Sequence, residues 1–194
     1  MPSVLITGTS TGIGLASALE FARRGFETIA TMRNLAKADA LRKAAEAEGL
    51  QIEIRELDVT APDSVAGCME EVLGRGDLDV LVNNAGGAGA TPFELVEERL
   101  HRAMFEANYF GVMRLTQAVL PQMRERGSGT IINISSVAGR IAIPNQVPYS
   151  ASKWALEGAS EALAHEVARF GVRVRIIEPG VVLTQIFENA EEHT

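Results

Sequence analysis

Val4-Leu5-Ile6-Thr7-Gly8-Thr9-Ser10-Thr11-Gly12-Ile13-Gly14 is an apolar run that breaks into a glycine-rich turn and resumes with helical periodicity from Ile13 to Arg24. A strand, a tight turn and a helix in that order form the opening unit of an open α/β sheet. The alternation continues along the chain. Strands are expected at Val4–Thr7, Thr28–Thr31, Gln51–Leu57, Val80–Val82, Thr130–Ile134 and Val172–Ile177. Helices are expected at Ile13–Arg24, Lys37–Glu48, Pro62–Leu73, Glu97–Arg126 (with a break near its start) and Tyr149–Phe170. Thr60 is placed to cap the third helix, and Gly25, Gly49 and Gly171 are placed to end helices. Nearly all-apolar strands alternating with helices predict a parallel sheet covered on both faces. With 194 residues and 46% hydrophobic content, residues 1–194 are read as a single domain.

Composition removes several function classes. A formal net charge of -7 offers no basic face to nucleic acid or to an anionic membrane. The one cysteine, Cys68, cannot build a disulfide framework and lies in a helical pattern, where it reads as buried filler. The first strand begins at once, and no apolar run approaches the ~18 residues of a membrane span, so a cytoplasmic protein is expected. His101, His165 and His193 have no metal-ligand spacing, so no metal is expected. No Gly-x-Ser-x-Gly elbow marks a serine hydrolase, and Glu97-Glu98 and Glu191-Glu192 read as solvated faces.

The glycine turn is a phosphate cradle in pattern. A helix amino end presents unpaired N–H groups and partial positive charge to a pyrophosphate. Gly8 permits the turn, Gly12 lets phosphate approach the backbone, and Gly14 lets helix and strand pack closely. Far downstream, Tyr149 and Lys153 are four apart in a helical pattern and share a face. A phenol titrates near pH ~10, and a neighbouring ammonium is expected to lower that value towards neutrality. Tyr149 could then donate a proton to a carbonyl oxygen or take one from an alcohol.

Thr7-Gly8-x-x-x-Gly12-Ile13-Gly14, Asn83-Asn84-Ala85-Gly86 and Tyr149-x-x-x-Lys153, in that order and over nearly the whole chain, resemble the short-chain dehydrogenase/reductase family. The resemblance implies a Rossmann-like doubly wound parallel sheet in a three-layer α/β/α arrangement. It also implies that Gly8, Ser10, Thr11, Gly12, Ile13 and Gly14 hold the phosphates of a nicotinamide dinucleotide. Asp58 and Val59 would contact the adenine. Asn83, Ala85 and Gly86 would brace the fourth strand against the nucleotide, with Asn84 among the cofactor-binding residues. Pro179, Gly180, Val182 and Thr184 would hold the carboxamide, Tyr149 and Lys153 would also touch the cofactor, and the positive nicotinamide ring would join Lys153 in lowering the Tyr149 pKa. Ser136, chosen over Ser135, would polarise the substrate oxygen. Asn108 would hold a water linking Lys153 to solvent. The catalytic set is therefore Asn108, Ser136, Tyr149 and Lys153. Met32 stands where the family's NAD enzymes carry aspartate, and Arg33 beside it could pair with a 2′-phosphate, so NADP(H) is expected over NAD(H).

Family members usually continue some tens of residues past Pro179-Gly180, so the chain is expected to lack the family's C-terminal strand and to be incomplete at that end. Val172–Ile177 would then form an open edge. The apolar stretch Ile141-Ala142-Ile143-Pro144 favours a hydrophobic carbonyl or secondary alcohol, and Thr31-Met32-Arg33-Asn34 is loosely like steroid- or retinoid-acting members. By the same resemblance, Arg102–Arg126 and Tyr149–Phe170 would pair with a second subunit in a homodimer or homotetramer. Competing readings are a noncatalytic NADP-binding sensor and an isomerase or dehydratase that uses NADP without net consumption.

Overall fold

A register of paired side chains organises the sheet. Ile29, Leu5, Leu81, Ile131 and Val174 are successive cross-strand partners and form one apolar row across five strands. Successive strand residues point to opposite faces. Ala30, Ile6, Val82 and Ile132 therefore form the matching row on the other face. The computed structural model describes residues 1–182. Within them, strands β1 (Ser3–Thr7), β2 (Glu27–Met32), β3 (Ile52–Glu56), β4 (Val80–Asn83), β5 (Gly129–Ile134) and β6 (Val172–Ile177) lie parallel in the order β3-β2-β1-β4-β5-β6. This is the expected doubly wound sheet. Among the described residues β6 is an edge, as anticipated.

Helices α1 (Gly12–Arg23) and α2 (Asp39–Ala47) cover one face, packing Ala18, Leu19, Leu41 and Ala45 on the Ile6 row. The other face carries α3 (Pro62–Leu73), α5 (Gly111–Arg126) and α6 (Val147–Val167), whose Val65, Val72, Leu115, Val119 and Val167 meet the Leu5 row. Cys68 is buried among them, and burial pushes its thiol pKa up, so it is an inert core residue. Gly25, Gly49 and Gly171 take positive φ at helix ends.

Three local readings change. The helix expected from Lys37 is a short turn at Leu35–Lys37, which the Asn34 side chain caps, followed by α2 from Asp39. Thr60 does not cap α3: Ala61 holds that position, while the Thr60 hydroxyl donates to Asp58 Oδ1 at 2.7 Å. The break in the fourth helix is a π-helical turn, Glu106–Phe110, between α4 (Glu98–Phe105) and α5.

A polar staple crosses the second core. Asn83 Nδ2 donates to Asn133 Oδ1 at 2.9 Å, and Asn133 Nδ2 donates to Ser160 Oγ at 2.8 Å, all three residues being buried. It ties β4, β5 and α6 together where their ends form the cleft described below. Because a buried partner left unpaired carries its full desolvation cost, Asn133→Ala should destabilise the protein by about 2–3 kcal/mol. Urea unfolding checks this, and an unmoved midpoint would remove the staple from the account.

Candidate active site

Where strand order reverses, the connections leaving β1 and β4 diverge to opposite faces and open a crevice at the carboxyl ends of the strands. A cleft of ≈ 700 Å³ occupies it. Its lining includes Gly8, Ser10, Thr11, Gly12, Ile13 and Gly14 from the first turn, Arg33 after β2, and Asp58 and Val59 after β3. Asn84, Ala85 and Gly86 after β4, Ser136, Tyr149, Lys153, Pro179, Gly180 and Val182 complete the candidates on its wall. Asn108 lies behind that wall, fully buried, and Thr184 lies outside the described residues.

The phosphate end follows from side chains that are missing. A Cβ on Gly14 would stand 2.2 Å from the Gly8 carbonyl oxygen and 2.5 Å from Asn84 Nδ2. Gly8 has φ +69, and its Cβ would meet Ala85 Cα at 2.8 Å. Asn84 Nδ2 donates to the carbonyls of Thr7 (2.8 Å) and Gly8 (3.0 Å), while Thr7 Oγ1 accepts from the amides of Asn84 and Ala85 at 2.9 Å each. The amino end of α1 has no side-chain cap and no acid in its first turn, so its N–H groups face the cleft unpartnered by side chains. Asn83 points elsewhere: its amide belongs to the core staple, and Asn84 is the residue that braces the turn. Thr9, which the sequence did not single out, fastens the turn to β2 by donating to the Thr31 carbonyl from both its amide (3.0 Å) and its hydroxyl (3.1 Å).

At the other end, Ser136 follows β5 and caps the short turn Val137–Gly139, with its Oγ accepting from the Ala138 amide at 3.1 Å. Tyr149 and Lys153 come from the first turns of α6. Lys153 is 6% exposed, donates to the Ile134 carbonyl at 2.9 Å and lies 5.9 Å from the Tyr149 ring centroid. Burial lowers its pKa to about 8, against the opposing field of Glu157. Tyr149 moves the other way. Burial raises its pKa, and a contact with the Ser136 hydroxyl only partly offsets the rise. In the free protein removal of water from the phenolate is thus the dominant influence on Tyr149, and the lowering expected with a bound nicotinamide belongs to the complex.

Asn108 sits in the π-helical turn, a local widening that often marks functional sites. Its Oδ1 accepts from the Gly87 amide (2.9 Å), and its Nδ2 donates to the Gly87 carbonyl (3.0 Å) and to Ser152 Oγ (2.9 Å). Ser152 Oγ in turn donates to the Tyr149 carbonyl at 2.7 Å. The side chain thus braces the Gly87 segment against α6. Sequence reasoning also missed Lys37, which lines the cleft near Arg33, and Glu157, buried one helical turn beyond Lys153. Lys37 carried no spacing signal. Glu157 falls at the same four-residue spacing from Lys153 as Lys153 does from Tyr149, and that could have revealed it.

Absorbance of tyrosinate in the ultraviolet gives a direct check. The step lost in Tyr149→Phe should lie above pH ~10 in the free protein, the ordinary tyrosine value. A step below that value would reverse the assigned balance of burial and charge.

Comparisons with known proteins agree with this geometry. The family model described as short chain dehydrogenase matches residues 2–194. Retinol dehydrogenase 8 of Bos taurus is 41% identical over 187 residues, covering 94% of this chain and 60% of the relative. The chain thus spans less than two thirds of that relative's length. A crystal structure of a short-chain dehydrogenase from Streptomyces avermitilis superposes with a TM-score of 0.88 at 44% identity, covering 96% of this chain and 68% of that one. A metagenomic short-chain oxidoreductase in complex with NADP superposes with a TM-score of 0.87 at 33% identity, covering 93% and 83%.

Proposed function

The chain belongs to the short-chain dehydrogenases, and on that footing we propose that it is an NADP(H)-dependent oxidoreductase interconverting a hydrophobic carbonyl compound and a secondary alcohol. The observation that carries the reading is the shared cleft, with an uncapped helix amino end at one side and Ser136, Tyr149 and Lys153 at the other. The residues fit a dinucleotide. Glycines at positions 8 and 14 leave no space for side chains, and the α1 N–H groups suit a pyrophosphate. Asp58 and Val59 border the adenine side, and Pro179, Gly180 and Val182 the nicotinamide side. Arg33 is exposed at the cleft beside Met32, where an acid would repel a 2′-phosphate. A solved relative carrying NADP supports the same preference. When bound, the nicotinamide supplies or accepts the hydride.

The protein's own groups handle the proton. Ser136 donates a hydrogen bond to the substrate oxygen and stabilises its developing charge. Burial keeps the Tyr149 phenol protonated at neutrality, which is the form that donates to a carbonyl oxygen. Lys153, charged below about pH 8, stabilises the phenolate left behind. Asn108 positions Gly87 and, through Ser152, the Tyr149 backbone. Ile141 (58% exposed) and Ile143 offer apolar surface beside the cleft, and resemblance to a retinol dehydrogenase supports a retinoid- or steroid-like substrate. Exposed Phe110 and Trp154, on and beside the long helices, support a homodimer or homotetramer.

NADPH absorbance followed with hydrophobic aldehydes and ketones tests the reading, and no consumption with any of them would favour a binding module. Tyr149→Phe should abolish turnover while NADPH still binds. Retained turnover would remove Tyr149 as the proton carrier. Alcohol oxidation should climb with pH, since it requires the phenolate of a group whose pKa burial raises. Arg33→Ala should raise KM for NADPH by about 10–100-fold, the loss of one charge-assisted contact, and leave KM for NADH nearly unchanged.

A further inference from the structure

Glu157 is a buried acid that the chemistry above does not use. It is 4% exposed, and neither carboxylate oxygen has a hydrogen-bond partner. Arg140 approaches Oε2 to 3.4 Å, but its aligned hydrogen bonds go to Glu178 (2.9 Å) and Glu161 (3.1 Å). Gly139 packs tightly against the acid, since a Cβ there would stand 2.9 Å from Glu157 Cγ and 2.9 Å from Ser135 Oγ. The Ser135 hydroxyl is itself buried without a partner. A buried carboxylate with no hydrogen bond and one partly exposed arginine as its ion-pair partner is costly to keep, and a second cation nearby offsets that cost.

That other group is one helical turn away. Lys153 and Glu157 are four apart on α6 and both buried, so they lie on one face of the helix. We infer that Glu157 is a positioning residue for Lys153: its buried carboxylate, clamped by Gly139 and only loosely held by Arg140, keeps the Lys153 ammonium charged beside Tyr149. The groups packed around the ammonium from other elements are uncharged, namely the Ile134 carbonyl of β5 and, beyond Gly86, the Asn108 amide of the π-helical turn. On its own helix Tyr149 lies one turn before it, with the ring centroid at 5.9 Å, and Glu157 one turn after it, beyond ion-pair contact. The carboxylate faces Arg140 and the Ser135 hydroxyl from the segment after β5, while Glu161 and Glu178 act on it only through Arg140. The field of Glu157 opposes the effect of burial on Lys153, the sign this role requires.

The inference deepens the oxidoreductase reading and rests on it for its purpose, but its test does not need turnover. The chain has three lysines, Lys37, Lys43 and Lys153, so carbon-13 NMR of the lysine Cε groups can follow Lys153 individually, with Lys153→Met for assignment. Lys153 should titrate near pH 8 in the wild type. Glu157→Gln should move that midpoint down by about one pH unit, the effect of losing a nearby opposite charge. Glu157→Asp should restore most of the loss. Glu161→Gln, which removes only an Arg140 partner, should leave the midpoint in place. An unmoved midpoint in Glu157→Gln, or an equal shift in Glu161→Gln, would overturn the assignment. If Glu157→Gln does not hold its fold, Lys153→Met added to it should restore a cooperative unfolding transition, and failure to restore one would equally overturn the assignment. In turnover, the alkaline limb of carbonyl reduction should move down with the lysine midpoint. A wild type that reduces no carbonyl at all would sink the oxidoreductase reading and leave the titration result standing.

Discussion

The contact on which the cleft depends is the approach of α1 to the carbonyl oxygen of Gly8. It is closer than any side chain at position 14 permits, and Asn84 completes it by donating to that oxygen and to the Thr7 carbonyl. Three segments distant in sequence meet there: the end of β1, the start of α1 and the end of β4. Backbone carbonyls at a strand end need partners, and here one amide side chain supplies them. With the turn fixed in this way, the first N–H groups of α1 remain uncapped and aimed into the crevice. The anion-binding character of the site is a consequence of packing, with no basic side chain required.

The opposite end of the cleft follows a different logic. Water has been removed from Tyr149 and Lys153 alike, and burial favours the neutral form of each. It raises the phenol and lowers the ammonium, so the two pKa values separate. Charges removed from water interact more strongly than exposed ones, which gives the buried Glu157 carboxylate more influence on Lys153 than the same charge would have on the surface. Placing Lys153 against the Ile134 carbonyl also ties the cation to the end of β5, two residues before Ser136. Tyr149, Lys153 and Ser136 are thereby fixed by one strand end and one helix.

The parallel sheet, its layers and the lining of the cleft were legible because they follow from period and from motif order. The continuous apolar runs of β1 and β4 supply both rows of the sheet, and the described candidate residues, apart from buried Asn83 and Asn108, reach one cavity. What escaped the sequence depends on direction in space. Asn83 and Asn84 are adjacent and chemically identical, yet strand alternation sends one into the core and the other to the turn. The burial of Tyr149 escaped because a motif reports the neighbouring cation and not the amount of water removed. Glu157 was missed because an acid near a helix arginine or lysine ordinarily reads as surface, although its four-residue spacing from Lys153 places it on the buried face of α6.

The π-helical turn links the two ends of the cleft. Asn108, within it, grips Gly87 on the β4 side, and Gly111, just beyond it, lets the same rod of helix lie against the β3 loop. A Cβ at Gly111 would stand 2.7 Å from the Val59 carbonyl oxygen, and Arg114 donates to that oxygen at 3.4 Å. One element therefore supports both the loop bearing Asp58 and Val59 and the segment beneath Lys153. A regular α-helix would carry Asn108 round by about 100° for a one-residue change in phase, turning its amide away from Gly87. The widened turn resolves that conflict: it keeps Met104 and Asn108 inward while Leu115 and Val119 still meet the core. Two walls built from different strands can hold a fixed separation because a single irregular helix spans them.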